Sequence, residues 1–154
     1  SAASDVYKRQ FNDLAELNDN YKQIYAAFDA LDETDASMAF AILKDASALQ
    51  ASFEKVSADL GKSLMDYERR AKALQAKISR ESSTKVNEGD RISTQHPDVL
   101  DAWERVSDIQ KSQRYVDATA KHLSRMYFDS KLIFENVCRA TRQPVGDDKL
   151  VGRI

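Results

Sequence analysis

Apolar residues recur along this chain at spacings of three and four. Phe11, Leu14, Leu17, Tyr21, Ile24, Tyr25, Phe28 and Leu31 follow that spacing, apart from the adjacent Ile24 and Tyr25. A turn of 3.6 residues gathers such positions into one stripe, so the pattern predicts an amphipathic helix over about 11–31. Asp32-Glu33-Thr34-Asp35 then breaks the stripe. Either Thr34 or Asp35 can cap a new helix, because a side-chain oxygen there can accept the unpaired amide protons of the first turn.

The second predicted helix covers about 36–81. It opens on Met38, Phe40, Ile42 and Leu43, crowded enough to predict burial on more than one side. Leu49, Phe53, Val56, Leu60, Leu64, Tyr67, Ala71, Leu74 and Ile78 then approach a heptad seam. Two successive spacings of four, Val56 to Leu60 to Leu64, fall beside Gly61. A glycine inside a helix costs about 0.5–1 kcal/mol relative to alanine, so a local bend is expected there.

Residues 82–97 show no helical stripe and are rich in Ser, Thr, Asn, Gly and Pro. They read as a connecting loop, long enough to suspect function or mobility, with Val86 and Ile92 packing back onto the helices. Pro97 suits the first turn of a third helix, where its missing N–H is harmless. Asp98 complements the positive end of the helix dipole. This helix is expected over about 97–142. Its early stripe is Leu100, Trp103 and Val106, with Val99 and Ile109 alongside. Gln110 and Gln113 interrupt the seam, and Val116, Ala120, Leu123, Tyr127, Phe134, Val137 and Thr141 resume it, with Ser130 as a small filler. Pro144 and Gly146 are expected to end it, leaving 143–154 as a flexible tail. The expected architecture is all-α: a long antiparallel helical hairpin (about 36–81 and 97–142) with a shorter N-terminal helix (about 11–31), in a single domain over 11–142.

Composition narrows the alternatives. Only 4 Gly and 2 Pro occur in 154 residues. A β-sandwich or barrel consumes more turn residues than that, and a dinucleotide or phosphate loop needs clustered glycines. One cysteine, Cys138, excludes an intrachain disulfide and suits a reducing compartment. No apolar run approaches the ~18–20 residues of a membrane span. The expected location is cytoplasmic, and no membrane partner is expected. Residues 1–10 look foreign to the fold: Asp5 to Gln10 resembles the translated end of a transposase-based sequencing adapter, and the chain does not begin with Met.

Little in the sequence points to catalysis. No Ser lies in a G-x-S-x-G setting, and Cys138 reads as a small buried hydrophobe. His122 and Cys138 are too far apart along one helix to share an ion, and His96 lies in the predicted loop. No enzyme activity, metal or cofactor is expected. Charge is more informative. The formal net charge is -2, but the acidic residues concentrate early and the basic ones late. Arg69, Arg70, Lys72, Lys77, Arg80 and Lys85 lie within one short stretch opposed only by Glu81, and Arg91 follows. Clustered cations of this kind bind phosphates by releasing counterions. The same residues also suit the negative end of a helix dipole. Tyr67 and Trp103 are the nearest aromatic platforms for stacked bases, although both also fit their apolar stripes. Arg105 is placed to face the cluster across the hairpin.

The stretch from Lys85 to Arg142 resembles the UvsY-type phage recombination mediators. The matching pieces are Lys85, Asn87, Glu88 and Ile92, then His96-Pro97-Asp98-Val99, then a long helix with Arg125, Lys131, Arg139 and Arg142 near its end. The resemblance implies a non-enzymatic helper of a RecA-like recombinase that binds single-stranded DNA and forms a homo-oligomer. Its implied partners are the recombinase and a single-strand binding protein, in the cytoplasm of a phage-infected host. The DNA-contacting residues would be Arg69, Arg70, Lys72, Lys77, Arg80, Lys85 and Arg91. The alternative is a coiled-coil assembly or adaptor protein, in phage morphogenesis or scaffolding, with no nucleic-acid role.

Overall fold

The computed structural model describes residues 2–151, with side chains described for 13–142. The proposed foreign start at 1–10 and the tail at 143–154 lie outside the residues with described side chains. Four helices follow one another: α1 (Ala2–Asp29), α2 (Ala36–Ser82), α3 (Val86–Gln95) and α4 (Pro97–Val151). No strand occurs among the described residues. The expected all-α hairpin is present, and α2 and α4 are its two long arms.

The chain divides into two compact units. One combines the stretch up to Glu54 with the stretch from Ala118 onward; the other is Lys55–Asp117. In the first unit the α2 end is set by Asp35, whose Oδ1 accepts the Met38 amide at 3.0 Å. Asp35, rather than Thr34, is therefore the cap. Thr34 instead donates its amide and hydroxyl to Asp32 Oδ1, at 2.8 and 2.7 Å, tightening the turn between α1 and α2. Those two bonds, the hydroxyl's first, hold the Asp32 carboxyl below its ordinary value.

The core of the first unit is a seam of alternating three- and four-residue steps. Ala39, Ile42, Ala46, Leu49 and Phe53 of α2 are buried, as are Ala120, Leu123 and Met126 of α4 and Leu14 of α1. Tyr21 of α1 sets its ring edge-on to Phe53 at 6.4 Å and hydrogen-bonds His122 Nδ1 at 2.5 Å. The Phe40 and Phe134 rings meet at a tilt, with centroids 5.3 Å apart. The crowded start of α2 is buried only in part: Ala39 and Ile42 turn inward, while Met38 and Phe40 stay largely exposed. Small Ala39 lets α2 approach its neighbours closely, which leaves the larger residues beside it on the rim. Met126, not its neighbour Tyr127, is the fully buried residue at that turn. Ser130 is buried as the small filler expected there. Cys138 is only half-buried.

In the second unit the arms pair antiparallel. Ser57 donates to Asp117 Oδ1 at 2.6 Å, and Trp103 Nε1–H donates to Gln75 Oε1 at 3.2 Å. Partners thus climb one helix as they descend the other. Leu60 and Ala71 face Val99, Val106, Ile109 and Val116 as the buried set. The third helix's stripe begins on Val99, 1% exposed, and not on Leu100, which is 55% exposed. Adjacent residues sit about 100° apart on a helix, so only one of the two can face α2.

Gln113 fills the space that Gly61 leaves. A Cβ on Gly61 would come within 3.3 Å of Gln113 Nε2, a flexible side-chain end. That atom also reaches the Ser57 carbonyl at 3.5 Å. Because the amide can swing aside, helix propensity decides the outcome of substitution. Gly61→Ala is expected to raise stability by about 0.5–1 kcal/mol, seen as a higher midpoint in urea titration; a lower midpoint would show that the amide is held rigidly.

The connection between the arms differs from expectation. It is not a loop: α3 occupies Val86–Gln95. Its buried side consists of Gly89 and Ser93, which carry no apolar signal. Gly89 lies directly against α2, and a Cβ there would meet Ser79 Oγ at 2.8 Å and the Ser79 carbonyl closer still. Ser79 Oγ donates to Asp90 at 2.9 Å, and Ser93 Oγ donates to the Asp90 carbonyl at 2.9 Å. Val86 does not pack back and is 75% exposed, whereas Ile92 is partly covered at 36%; the contact with α2 is made by the small residues. At the other end, α4 continues to Val151, past Pro144 and Gly146. A proline removes one hydrogen bond to the carbonyl four residues back, and the flanking turns can still continue.

Candidate nucleic-acid interface

The amphipathic seam dictates where the cations of α2 go. Ala71 is buried, and Tyr67, Leu74 and Ile78 are half-buried on the same side. At about 100° per residue, Arg69, Lys72 and Arg80 fall on the opposite side, and Lys77 and Arg70 lie on its flank toward Leu74, the five together spanning roughly 160°. All five are exposed. The fold therefore assembles them into one solvent-facing strip along the last four turns of α2.

Lys85 and Arg91 are placed differently. Lys85 sits at the N-terminal boundary of α3, in extended conformation, and its amide is held by Ser83 Oγ at 3.1 Å. Arg91 lies two residues beyond Gly89, about 200° round α3 from the side that touches α2. It is exposed, but it is directed away from the α2 strip rather than gathered into it. Of the seven residues expected at the site, five share one face, Lys85 flanks it, and Arg91 stands apart.

The strip is lightly neutralised. Arg69 pairs with Asp66 at 3.7 Å, an exposed pair of small energetic weight. Among the described residues, no carboxylate within 4.0 Å forms an ion pair with Arg70, Lys72, Lys77, Arg80, Lys85 or Arg91. The Arg70 guanidinium lies over the Tyr67 ring, 5.8 Å from its centroid, which orients both groups at the edge of the strip.

Next to this edge an open cleft of about 390 Å³ runs between the arms, lined by Tyr67, Arg70 and Leu74 from α2 and Asp98, Asp101, Ala102 and Arg105 from α4. Arg105 lines this cleft with Arg70, the one member of the cluster there. Asp98 and Asp101 face it too, and sequence reasoning missed them. Their spacing was a usable signal: residues 98, 101 and 105 rise along one face of α4. Two carboxylates against two guanidinium groups make the cleft itself electrically balanced, so phosphate attraction belongs to the outer strip. Trp103 is half-buried and donates to Gln75, which ties it to the packing between the arms. Tyr67 keeps its ring edge at the cleft.

Among the described residues, no group of three or more His, Cys, Asp or Glu side chains converges to hold a metal ion. None of the described helices is long and apolar enough to cross a membrane. No protein-family model matches this chain, and no curated protein or solved structure matches it.

Proposed function

We propose that this chain is a non-enzymatic helical protein that binds single-stranded DNA through the outer strip of α2, in the manner of a recombination mediator for a RecA-like recombinase. One observation carries the reading: Lys72, Lys77 and Arg80 project from the solvent side of α2 with no carboxylate paired to them among the described residues. A solvated row of cations on a rigid helix tracks a phosphate backbone without base specificity. Tyr67, oriented by Arg70, offers a ring at the edge of that row for stacking.

Fluorescence anisotropy with an oligothymidylate tests this. Binding is expected at about 50 mM salt, with log affinity falling by roughly 0.7 per phosphate contact for each tenfold rise in salt. The combined variant Lys72→Glu, Lys77→Glu and Arg80→Glu keeps its helical content and loses both affinity and salt slope. No binding by the native chain at low salt sinks the proposal.

A second reading is an assembly or adaptor protein indifferent to nucleic acid. It is favoured by large apolar side chains left on the surface, among them Met65, Phe128 and Leu132.

A further inference from the structure

Helix α4 has two unlike sides beyond Ala118. Thr119, Ala120, Leu123, Met126 and Ser130 are buried against α1 and α2. The opposite side of a helix in a three-helix unit is ordinarily polar. Here Phe128 and Leu132, one turn apart, are 61% and 56% exposed on it. Lys121, Arg125 and Arg139 are exposed and share that side, within an arc of about 60°. The result is an apolar pair bracketed by cations.

The same unit carries a surface of the complementary kind. Leu14, Leu17, Tyr21, Ile24 and Phe28 of α1 are buried or half-buried. On the reverse of α1, Ala15, Glu16, Asp19, Gln23 and Ala26 are exposed, within an arc of roughly 100°. The alanines make that side low enough for a phenylalanine and a leucine to approach, and its carboxylates match the cations of α4. Across residues 13–35 there are seven carboxylates and one lysine, Lys22. Across 118–142 there are five Lys or Arg residues and two carboxylates, Asp129 and Glu135. Among the described residues of this unit no ion pair joins the two sets, since the pairs within 4.0 Å, Arg69–Asp66 and His96–Asp98, lie in the other unit. Among the described residues, the two charge-complementary faces are not paired with each other.

We infer that the outward face of α4 docks on the outward face of α1 from a second copy of this chain. A nucleic acid would meet the cations but would leave the apolar pair and the acidic face without a role. A second copy engages all three. The patches differ, so the contact either closes as a two-fold dimer in which both engage, or propagates from copy to copy.

Sedimentation velocity on the full chain reads this directly. Association that rises with protein concentration at about 50 mM salt, and weakens at about 500 mM, is the expected result. Phe128→Ser with Leu132→Ser raises the dissociation constant by about tenfold or more. Lys121→Glu with Arg125→Glu does the same, and so does Glu16→Lys with Asp19→Lys. An equimolar mixture of the two charge-reversed variants recovers association, because the acidic α4 of one meets the basic α1 of the other. That recovery separates a lost interface from a damaged fold. A native chain that stays monomeric at every concentration overturns the inference and gives the α4 face to a different partner. Association unmoved by either reversal, or a mixture that fails to recover it, also overturns it.

Discussion

Phe53→Ala is expected to lower the free energy of unfolding by about 3–5 kcal/mol, the range for removing a large aromatic from a closed core. The ring is fully buried, and Tyr21 presses its ring edge-on against it at 6.4 Å. Truncation leaves a void between α1 and α2 and removes one of the rings against Tyr21. Tyr21 is also the residue that hydrogen-bonds His122 of α4, so one deletion loosens the meeting point of three helices. For a chain of this size the loss corresponds to roughly 6–20 °C in Tm. Thermal melting followed by circular dichroism measures it. A shift below about 2 °C would mean that the seam of α2 collapses freely around the gap.

Gly89→Ala is expected to destabilise by about 1–3 kcal/mol, against the usual benefit of replacing a helical glycine. In an exposed helix that exchange gains about 0.5–1 kcal/mol. Here the added Cβ would meet the Ser79 backbone and come within 2.8 Å of its Oγ. The carbonyl is main chain of α2 and cannot swing aside as a side chain would, so α3 must lift away. Overpacking of this kind outweighs the propensity term. Lifting also breaks the Ser79–Asp90 hydrogen bond. Amide hydrogen exchange locates the effect: protection should fall across residues 86–95 and persist in the arms. The contrast with Gly61→Ala is the sharper test, because the same chemical change is expected to act with opposite sign. The obstacle is backbone at one glycine and a movable side-chain amide at the other. Two stabilising outcomes would show that α3 does not press on α2 through Gly89.

Much of this architecture can be read from spacing. The three- and four-residue steps from Ile42 to Ile78 and from Val106 to Leu123 locate the arms and their inward faces, because a helix repeats its facing every 3.6 residues. The same periodicity puts Arg69, Lys72 and Arg80 opposite that seam, with Lys77 and Arg70 on its flank. Helix α3 was not visible. Its contact with α2 runs through Gly89 and Ser93, and a helix held by close backbone approach leaves no apolar stripe to detect.

Local pattern thus settles where the long helices run and which way each faces, since those properties follow from residues a few positions apart. Choices between near neighbours and groupings across the hairpin belong to the tertiary structure. Val99 rather than Leu100 is buried, and Met126 rather than Tyr127, because the facing helix offers space at one angle only. Asp98 and Asp101 come to share a cleft with Arg70 because antiparallel pairing brings the start of α4 back along α2. Phe128 and Leu132 are left outside because α1 and α2 already fill the other side of α4. Each of these depends on atoms far apart in the chain, and short-range periodicity holds no record of them.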